Sequence, residues 1–377
     1  MPGHAEPRSA YLHVPFCAHR CGYCNFAVIA GREDLAGDYV RAIEAELASL
    51  GRPRPVETLY FGGGTPTRLP LELLERLCQV TRGWFPPEPG CEWTVEANPV
   101  DVTQDLLAVL VSCGVNRLSL GGQSFQPGKL SLLERDHDAG QIARAVDLCQ
   151  EHGLECSLDL IFAAPGETLR AWRGDVDQAI ATGAGHVSTY GLTFEKGAAF
   201  WSRLVGGDLA EVDEDLQREM YLAAIDGLCE AGFEHYEVSN FARPGRRSRH
   251  NQVYWSGAGW YAAGPGAARY VDGVRETNHQ STTTYLRRVL AGESPVAFRE
   301  ELTAEQEARE QLVFGLRRIE GVERSEFAER TGFSIDQLAA GQVDRFCELG
   351  LLEDTKDRLR LTREGLLISD ALWPEFL

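Results

Sequence analysis

Six short β-rich runs recur along the first half of the chain, and each is followed by a stretch of helical periodicity. The runs are Tyr11–Phe16, Thr58–Phe61, Glu92–Glu96, Arg117–Leu120, Cys156–Phe162 and His186–Leu192. Between them, apolar residues fall at helical spacing: Val40, Ile43, Leu47 and Leu50 within Asp38–Leu50, and Ile142, Val146 and Cys149 within Gln141–His152. Several of these stretches end at a glycine (Gly51, Gly114, Gly153, Gly183 or Gly232), the residue that most easily closes a helix with a left-handed turn. A strand–helix–strand unit brings the chain back parallel to itself by a right-handed crossover. Six such units, with Met220–Gly232 as a closing helix, predict an α/β fold built on a partial (β/α)6 barrel. An arc two units short of the full eight is open on one side, and its chemistry belongs on the loops after the strands' C-terminal ends.

The pattern changes after residue 233. His235–Ser239 reads as a further strand, and Ser239–Ala268 is rich in Gly, Arg and aromatic residues. Thr303–Arg318 reads as a helix, and Phe327–Leu352 as two short helical stretches. Leu359–Leu361 then precedes Thr362, a candidate N-cap. With 377 residues the chain exceeds a single small core. The predicted division is residues 1–235 as the barrel, 236–298 as an extension, and 299–377 as a smaller, mainly helical, winged-helix-like domain. A net charge of −19 argues against nucleic acid as a partner, so that domain is read as a packing module. Arg243, Arg246, Arg247 and Arg249 form the one candidate basic patch. No apolar run approaches the ~20 residues of a membrane span. Met1–Ser9 lacks the apolar stretch of a secretion signal, so a cytoplasmic protein is expected.

Of the 10 cysteines, Cys78, Cys91, Cys113, Cys149, Cys156, Cys229 and Cys347 are scattered, most of them on patterns that suit small buried hydrophobes. Cys17, Cys21 and Cys24 instead crowd into one C-x3-C-x2-C loop just after the first strand. Soft thiolates select zinc or iron–sulfur clusters. A structural zinc wants four protein ligands, and Asn25 and Phe26 supply no fourth thiolate. Three thiolates on a four-iron cluster leave one iron open to a further ligand.

That spacing resembles the radical S-adenosylmethionine superfamily, and the likeness extends along nearly the whole chain. It is closest to the branch containing oxygen-independent coproporphyrinogen III oxidase, on the string Tyr11–Phe16 before Cys17 and on Tyr60-Phe-Gly-Gly-Gly-Thr65-Pro-Thr67. The resemblance implies a [4Fe–4S] cluster on Cys17, Cys21 and Cys24, with S-adenosylmethionine completing the site. It also implies cosubstrate contacts at Glu96, Gln123, Arg135 and Asp159, with Tyr11 and Tyr23 flanking the cluster. Gly62, Gly63 and Gly64 are read as letting backbone approach the methionine moiety, with Thr65 adding a hydroxyl. An electron donor such as a flavodoxin or ferredoxin is implied as a partner.

Within the branch, the decarboxylating oxidase carries a further Cys two positions after the third ligand, where this chain has Phe26, and a longer segment before the first strand. His250-Asn-Gln-Val-Tyr254-Trp255 resembles the H-N-x-x-Y-W motif of a haem-chaperone subgroup. The resemblance implies haem as a ligand, His250 as its axial imidazole and Tyr254 and Trp255 as a flat apolar surface for the porphyrin, and the motif, lying after the sixth unit, is expected to be exposed at the open side of the arc. Arg246, Arg247 and Arg249 are then placed to meet propionates. It further implies a haem-acceptor protein, in one reading membrane-associated. The enzyme alternatives are coproporphyrinogen-oxidase-like chemistry, methyl transfer or cyclopropane formation on a tetrapyrrole or other large substrate.

Overall fold

The computed structural model describes residues 5–377; Met1–His4, part of the segment read for a secretion signal, lie outside the described residues. The expected six strands are β1 (Ser9–Val14), β2 (Val56–Gly63), β3 (Pro87–Ala97), β4 (Arg117–Gln123), β5 (Glu155–Phe162) and β6 (His186–Gly191). They lie side by side in that order, all parallel. The connecting helices are α1 (Ala36–Ala48), α2 (Leu71–Trp84), α3 (Gln104–Cys113), α4 (Ala139–Glu151) and α5 (Leu169–Ala181), and α6 (Glu214–Glu230) follows β6. Local signals set their ends. Asp138 and Gln141 form a reciprocal capping box that starts α4, and Gly114, at φ +97°, stops α3.

Side chains alternate across a strand, and here the alternation separates two chemistries. One face is apolar: Leu12, Leu59, Phe61, Val95, Leu118 and Leu158 are fully buried in one continuous core with the helices. The other face is polar. Tyr11, Tyr60, Thr94, Arg117 and Glu155 stand in register across five strands, and Asp159 is in register with Ser188. Polar groups on this face bond across strands, as where Arg117 donates to the Ser157 hydroxyl at 2.6 Å.

The segment expected as an extension joins this sheet at both edges. β7 (Glu234–Glu237) and β8 (Asn240–Ala242) form a hairpin antiparallel to β6, and β9 (Tyr261–Ala263) pairs in parallel with the free edge of β1. The sheet therefore has nine strands, and residue 235 falls inside β7. An uncovered sheet edge is a row of unpaired backbone groups, which these additions fill. Between them, α7 (Arg249–Ser256) lies against the polar face. Beyond β9, the strands β10 (Ala268–Val271), β11 (Val274–Asn278) and β12 (Val296–Glu301) make a small antiparallel sheet, and α8 (Thr282–Leu290) packs on α1. Buried Glu46 of α1 ties this region down: it accepts from Tyr285 Oη (2.6 Å), Asn278 Nδ2 (2.7 Å) and Gly264 N (2.9 Å).

The C-terminal part is a helical domain with a small wing, as expected. α9 (Ala304–Leu316), α10 (Arg324–Thr331) and α11 (Ile335–Glu348) pack around a sheet of β13 (Val322–Glu323), β14 (Leu352–Asp354) and β15 (Arg358–Leu361). Thr362 caps the helical turn that follows, its side-chain hydroxyl accepting from Gly365 N at 3.0 Å. Leu312, Phe327, Phe346 and Phe376 belong to the same apolar cluster as the barrel. Among the described residues, no helix is long and apolar enough to cross a membrane.

Candidate cluster and cosubstrate site

The three-cysteine loop leaves β1 at the C-terminal end of the sheet. A two-residue parallel pairing of Phe16–Cys17 with Ile29–Ala30 closes its base, and Cys24 N donates to Cys21 O at 3.0 Å inside it. Glu134, held at φ +57°, clamps the loop from the side. Its carboxylate accepts from Gly22 N at 2.8 Å, and its carbonyl from His19 Nε2 at 2.5 Å. Gly22 must be glycine, since a Cβ there would run into the Phe200 ring. Tyr23 packs edge-on against that same ring, in a small satellite core with Leu133, Ile161 and Phe194.

Arg135 brings positive charge to the thiols. Its Nη1 lies 3.7 Å from Cys21 Sγ, its Nη2 donates to Gly121 O at 2.9 Å, and its buried Nε has no partner within the protein. Burial pushes the Cys17 thiol up to about 11 and raises Cys24, and the three thiolates repel one another besides. Crowded, partly desolvated thiols of this kind fit a positively charged metal core, which stabilises the thiolate form. Among the described residues, no three ligating side chains converge on one point as those of a single ion do. A four-iron cluster takes its thiolates on separate irons.

The neighbouring strand ends carry the predicted cosubstrate residues. Glu96, at the end of β3, accepts from Tyr60 Oη at 2.8 Å and from Gly63 N at 2.9 Å. Burial pushes its carboxyl up to about 7, and the charge of Asp159 adds to the rise. Asp159 on β5 is itself pushed up to about 6 by burial, while the Ser119 hydroxyl donates to it at 3.4 Å. Gln123 ends β4 at φ +62°, after the glycine pair Gly121–Gly122. Thr65 places its hydroxyl 3.9 Å from Cys17 Sγ. Tyr11 bonds to His13 Nδ1 at 3.1 Å and stacks on Tyr60.

The glycine triplet also meets a packing requirement. A Cβ on Gly62 would sit 2.8 Å from Tyr60 and 2.9 Å from Glu96, one on Gly63 would overlap the His13 ring, and one on Gly64 would sit 2.6 Å from Phe16 O. The space freed by the missing side chains is filled by β1 and by the Tyr60–Glu96 pair. The triplet lets β1 and β2 close together before any ligand is considered.

His250 lies elsewhere than an open arc would put it. It is 1 % exposed, its Nδ1 lies 2.8 Å from Thr58 Oγ1, its Nε2 lies 2.9 Å from Tyr254 Oη, and its ring stacks on Tyr60 at 5.0 Å. Desolvation pushes the imidazole down to about 3, so it is neutral. Ser248 caps α7 from within, and Glu92 caps it from β3, accepting from Arg249 N (3.0 Å) and His250 N (2.9 Å). Trp255 lies under the Arg317 guanidinium at 4.5 Å and beside Phe314. Arg246, Arg247 and Arg249 are engaged by Glu155, Glu234 and Glu57, respectively. The structure thus gathers Cys17, Cys21, Cys24, Tyr23 and Arg135 in one group, and Tyr11, Glu96, Asp159 and His250 along the polar face.

Two contributors escaped the sequence reading. Tyr60 joins His250 to Glu96, and Glu134 fixes the cluster loop. Tyr60 was signalled by the two-residue spacing Thr58, Tyr60, Gly62, which puts it on the face of Glu96. Glu134 had no local signal, because its partners lie 112 and 115 positions away.

Comparison with known proteins places the chain in a family. Residues 11–179 match the Radical SAM superfamily and residues 302–368 the HemN C-terminal domain. The chain is 34 % identical over 376 residues to the protein named heme chaperone HemW of Bacillus subtilis, covering 98 % of this chain and 99 % of that one. The chain belongs to the HemW family. Family relatives named in the same way occur in Mycobacterium tuberculosis (37 % identical, 99 % of this chain and 95 % of that one) and in Escherichia coli (31 %, 98 % of each). The chain shares its fold with coproporphyrinogen III oxidase (HemN) of Escherichia coli, described as a radical SAM enzyme: TM-score 0.86 at 21 % identity, covering 98 % of this chain and 90 % of that one.

Proposed function

We propose that this chain binds haem and passes it to an acceptor protein, from a body that also holds a [4Fe–4S] cluster and S-adenosylmethionine. The observation that carries the reading is the full-length likeness to heme chaperones together with the loop that presents Cys17, Cys21 and Cys24 beside Arg135. In this reading Cys17, Cys21 and Cys24 hold the cluster. Glu96 and Gln123, with Gly63, Gly64 and Thr65, receive the methionine end of the cosubstrate, and Asp159 takes the ribose. Tyr11 and Tyr23 wall the site, and Arg135 balances the thiolate charge. When bound, the cluster supplies an electron to S-adenosylmethionine; the chain orients the cosubstrate and keeps water away. A flavodoxin- or ferredoxin-type protein supplies that electron, in the cytoplasm.

Haem ligation falls to His250, on the motif shared with the chaperone subgroup. Both ring nitrogens are bonded, Nε2 to Tyr254 Oη and Nδ1 to Thr58 Oγ1, so iron reaches one of them only after the Tyr254 side chain turns away or α7 lifts from Thr58. Phe26, 67 % exposed where the decarboxylating oxidase has a cysteine, favours the carrier over the decarboxylase.

The test is spectral titration of cluster-loaded protein with haem, using wild type, His250→Ala and His19→Ala, with assay for 5′-deoxyadenosine. Wild type and His19→Ala are expected to give a Soret band distinct from free haem, and His250→Ala to lose it. A His250→Ala spectrum equal to wild type moves the ligand elsewhere. Absence of haem binding by wild type removes the chaperone reading and leaves a radical enzyme on a large substrate.

A further inference from the structure

We infer that His250 and Tyr60 are positioning residues for Glu96, so that the H-N-x-x-Y-W helix sets the shape of the cosubstrate pocket as well as any haem site. The inference rests on the reading of Glu96 as a cosubstrate contact. Four observations carry it. Tyr60 is sandwiched, with the His250 ring 5.0 Å away at 26° and the Tyr11 ring 6.0 Å away at 25°. That stack leaves the Tyr60 hydroxyl one direction, and it donates to Glu96 Oε1 at 2.8 Å. The other carboxylate oxygen takes Gly63 N at 2.9 Å, so both oxygens of Glu96 are oriented. His250 is in turn fixed by Thr58 and Tyr254 through its two ring nitrogens, and by Glu92 through its backbone. A carboxylate held in this way presents its remaining lone pairs in fixed directions, as an ammonium group on a ligand requires. Without the stack, Tyr60 is free to rotate and Glu96 loses one of its two anchors.

The groups facing Glu96 are Tyr60 from β2, Tyr11 from β1, Asp159 from β5 and Tyr254 from α7. Among these only Tyr60 donates to it, which favours the ionised form, while Asp159 and burial oppose ionisation. Removing the Tyr60 hydroxyl therefore pushes the carboxyl further up, and binding of a cation by Glu96 then switches on at higher pH.

The experiment measures S-adenosylmethionine binding to reconstituted, haem-free protein between pH 6 and 8.5, by equilibrium dialysis and by the change in the electron paramagnetic resonance spectrum of the reduced cluster. Tyr60→Phe keeps the stack and removes the donor. It is expected to weaken binding roughly tenfold at neutral pH and to move the pH midpoint upward, with iron content and melting temperature unchanged. His250→Ala is expected to weaken binding similarly. His250→Phe, which restores a ring against Tyr60 but offers no nitrogen, is expected to recover the affinity that alanine loses while still failing to bind haem. That combination separates positioning from haem ligation. Wild-type affinity and pH midpoint in Tyr60→Phe would overturn the inference alone. A wild-type protein that binds no S-adenosylmethionine would overturn it together with the reading of Glu96.

Discussion

Lys129 supports the loops that carry the site. It is 8 % exposed, between Glu167 Oε1 at 2.5 Å and Asp175 Oδ2 at 3.1 Å, with its ammonium 5.1 Å from the centre of the Trp172 ring. Asp175, on α5, also accepts from Ser124 Oγ (2.6 Å) and Phe125 N (2.8 Å), the residues directly after Gln123. Glu167 accepts from Ala164 N at 3.0 Å, and Ala163 beside it has φ +62°, like Gln123. One ammonium thus secures two left-handed turns at adjacent strand ends. Lys129→Met keeps the aliphatic stem and leaves two buried carboxylates facing each other. Breaking a buried ion pair from one side costs about 3–5 kcal/mol. With an unfolding entropy of about 0.8 kcal/mol/K for a chain this long, that is a fall in melting temperature of roughly 4–6 °C. The loss also depends on pH. Burial already raises Glu167 from 4.5, with Lys129 opposing the rise. Without Lys129 the folded value climbs further above the unfolded one, so the folded state binds a proton that the unfolded state releases. The penalty is therefore small near pH 4.5 and grows as pH rises towards the new folded value. Differential scanning calorimetry of wild type and Lys129→Met at pH 5.5 and 8 reads both effects. A fall under 1 °C at pH 8, or one larger at pH 5.5 than at pH 8, refutes the reasoning.

Changing Cys21 to Ala should remove most of the iron bound on anaerobic reconstitution, read by iron assay and by the visible absorbance of the cluster. Gly64→Val should lower the melting temperature of the cluster-free protein by several degrees, because its Cβ would sit 2.6 Å from Phe16 O and 2.9 Å from Val14 O; the measurement is a thermal melt by circular dichroism. Incubation with coproporphyrinogen III, reductant and S-adenosylmethionine should yield no protoporphyrinogen in catalytic amounts, read by fluorescence after oxidation.

The six strand–helix units were legible because they carry local signals: short apolar runs, helical periods and, after every connecting helix but Leu71–Trp84, a glycine. The cysteine loop was legible for a similar reason, as its spacing lies within eight residues. The edges of the sheet were not. β9 has only three residues, Tyr261–Ala263, with no period to read, and it exists because β1 offers a free edge. α7 has eight residues, fewer than an isolated helix needs to hold itself together. Its N-terminus is capped by Glu92, more than 150 positions earlier in the chain.

The same contrast explains why His250 was read as exposed. A histidine followed by tyrosine and tryptophan in a Gly- and Arg-rich segment has no apolar period to announce a core position, so the motif looked like surface. What makes it interior is the opposite face of the sheet, which is polar. Thr58 offers a hydroxyl to the imidazole and Tyr60 a ring to stack on, and Tyr254 on the same helix closes the second nitrogen. A buried histidine costs little when both nitrogens are bonded and the ring is neutral. Strand runs selected for being apolar conceal this face, since every second residue is the informative one. Reading Thr58–Tyr60–Gly62, Thr94–Glu96, Arg117–Ser119 and Ser157–Asp159 as four polar stripes on neighbouring parallel strands predicts an interior that hydrogen-bonds to whatever fills it. The filler must then bring donors and acceptors of its own, and His250, Tyr254 and the Glu92-capped backbone of α7 do so.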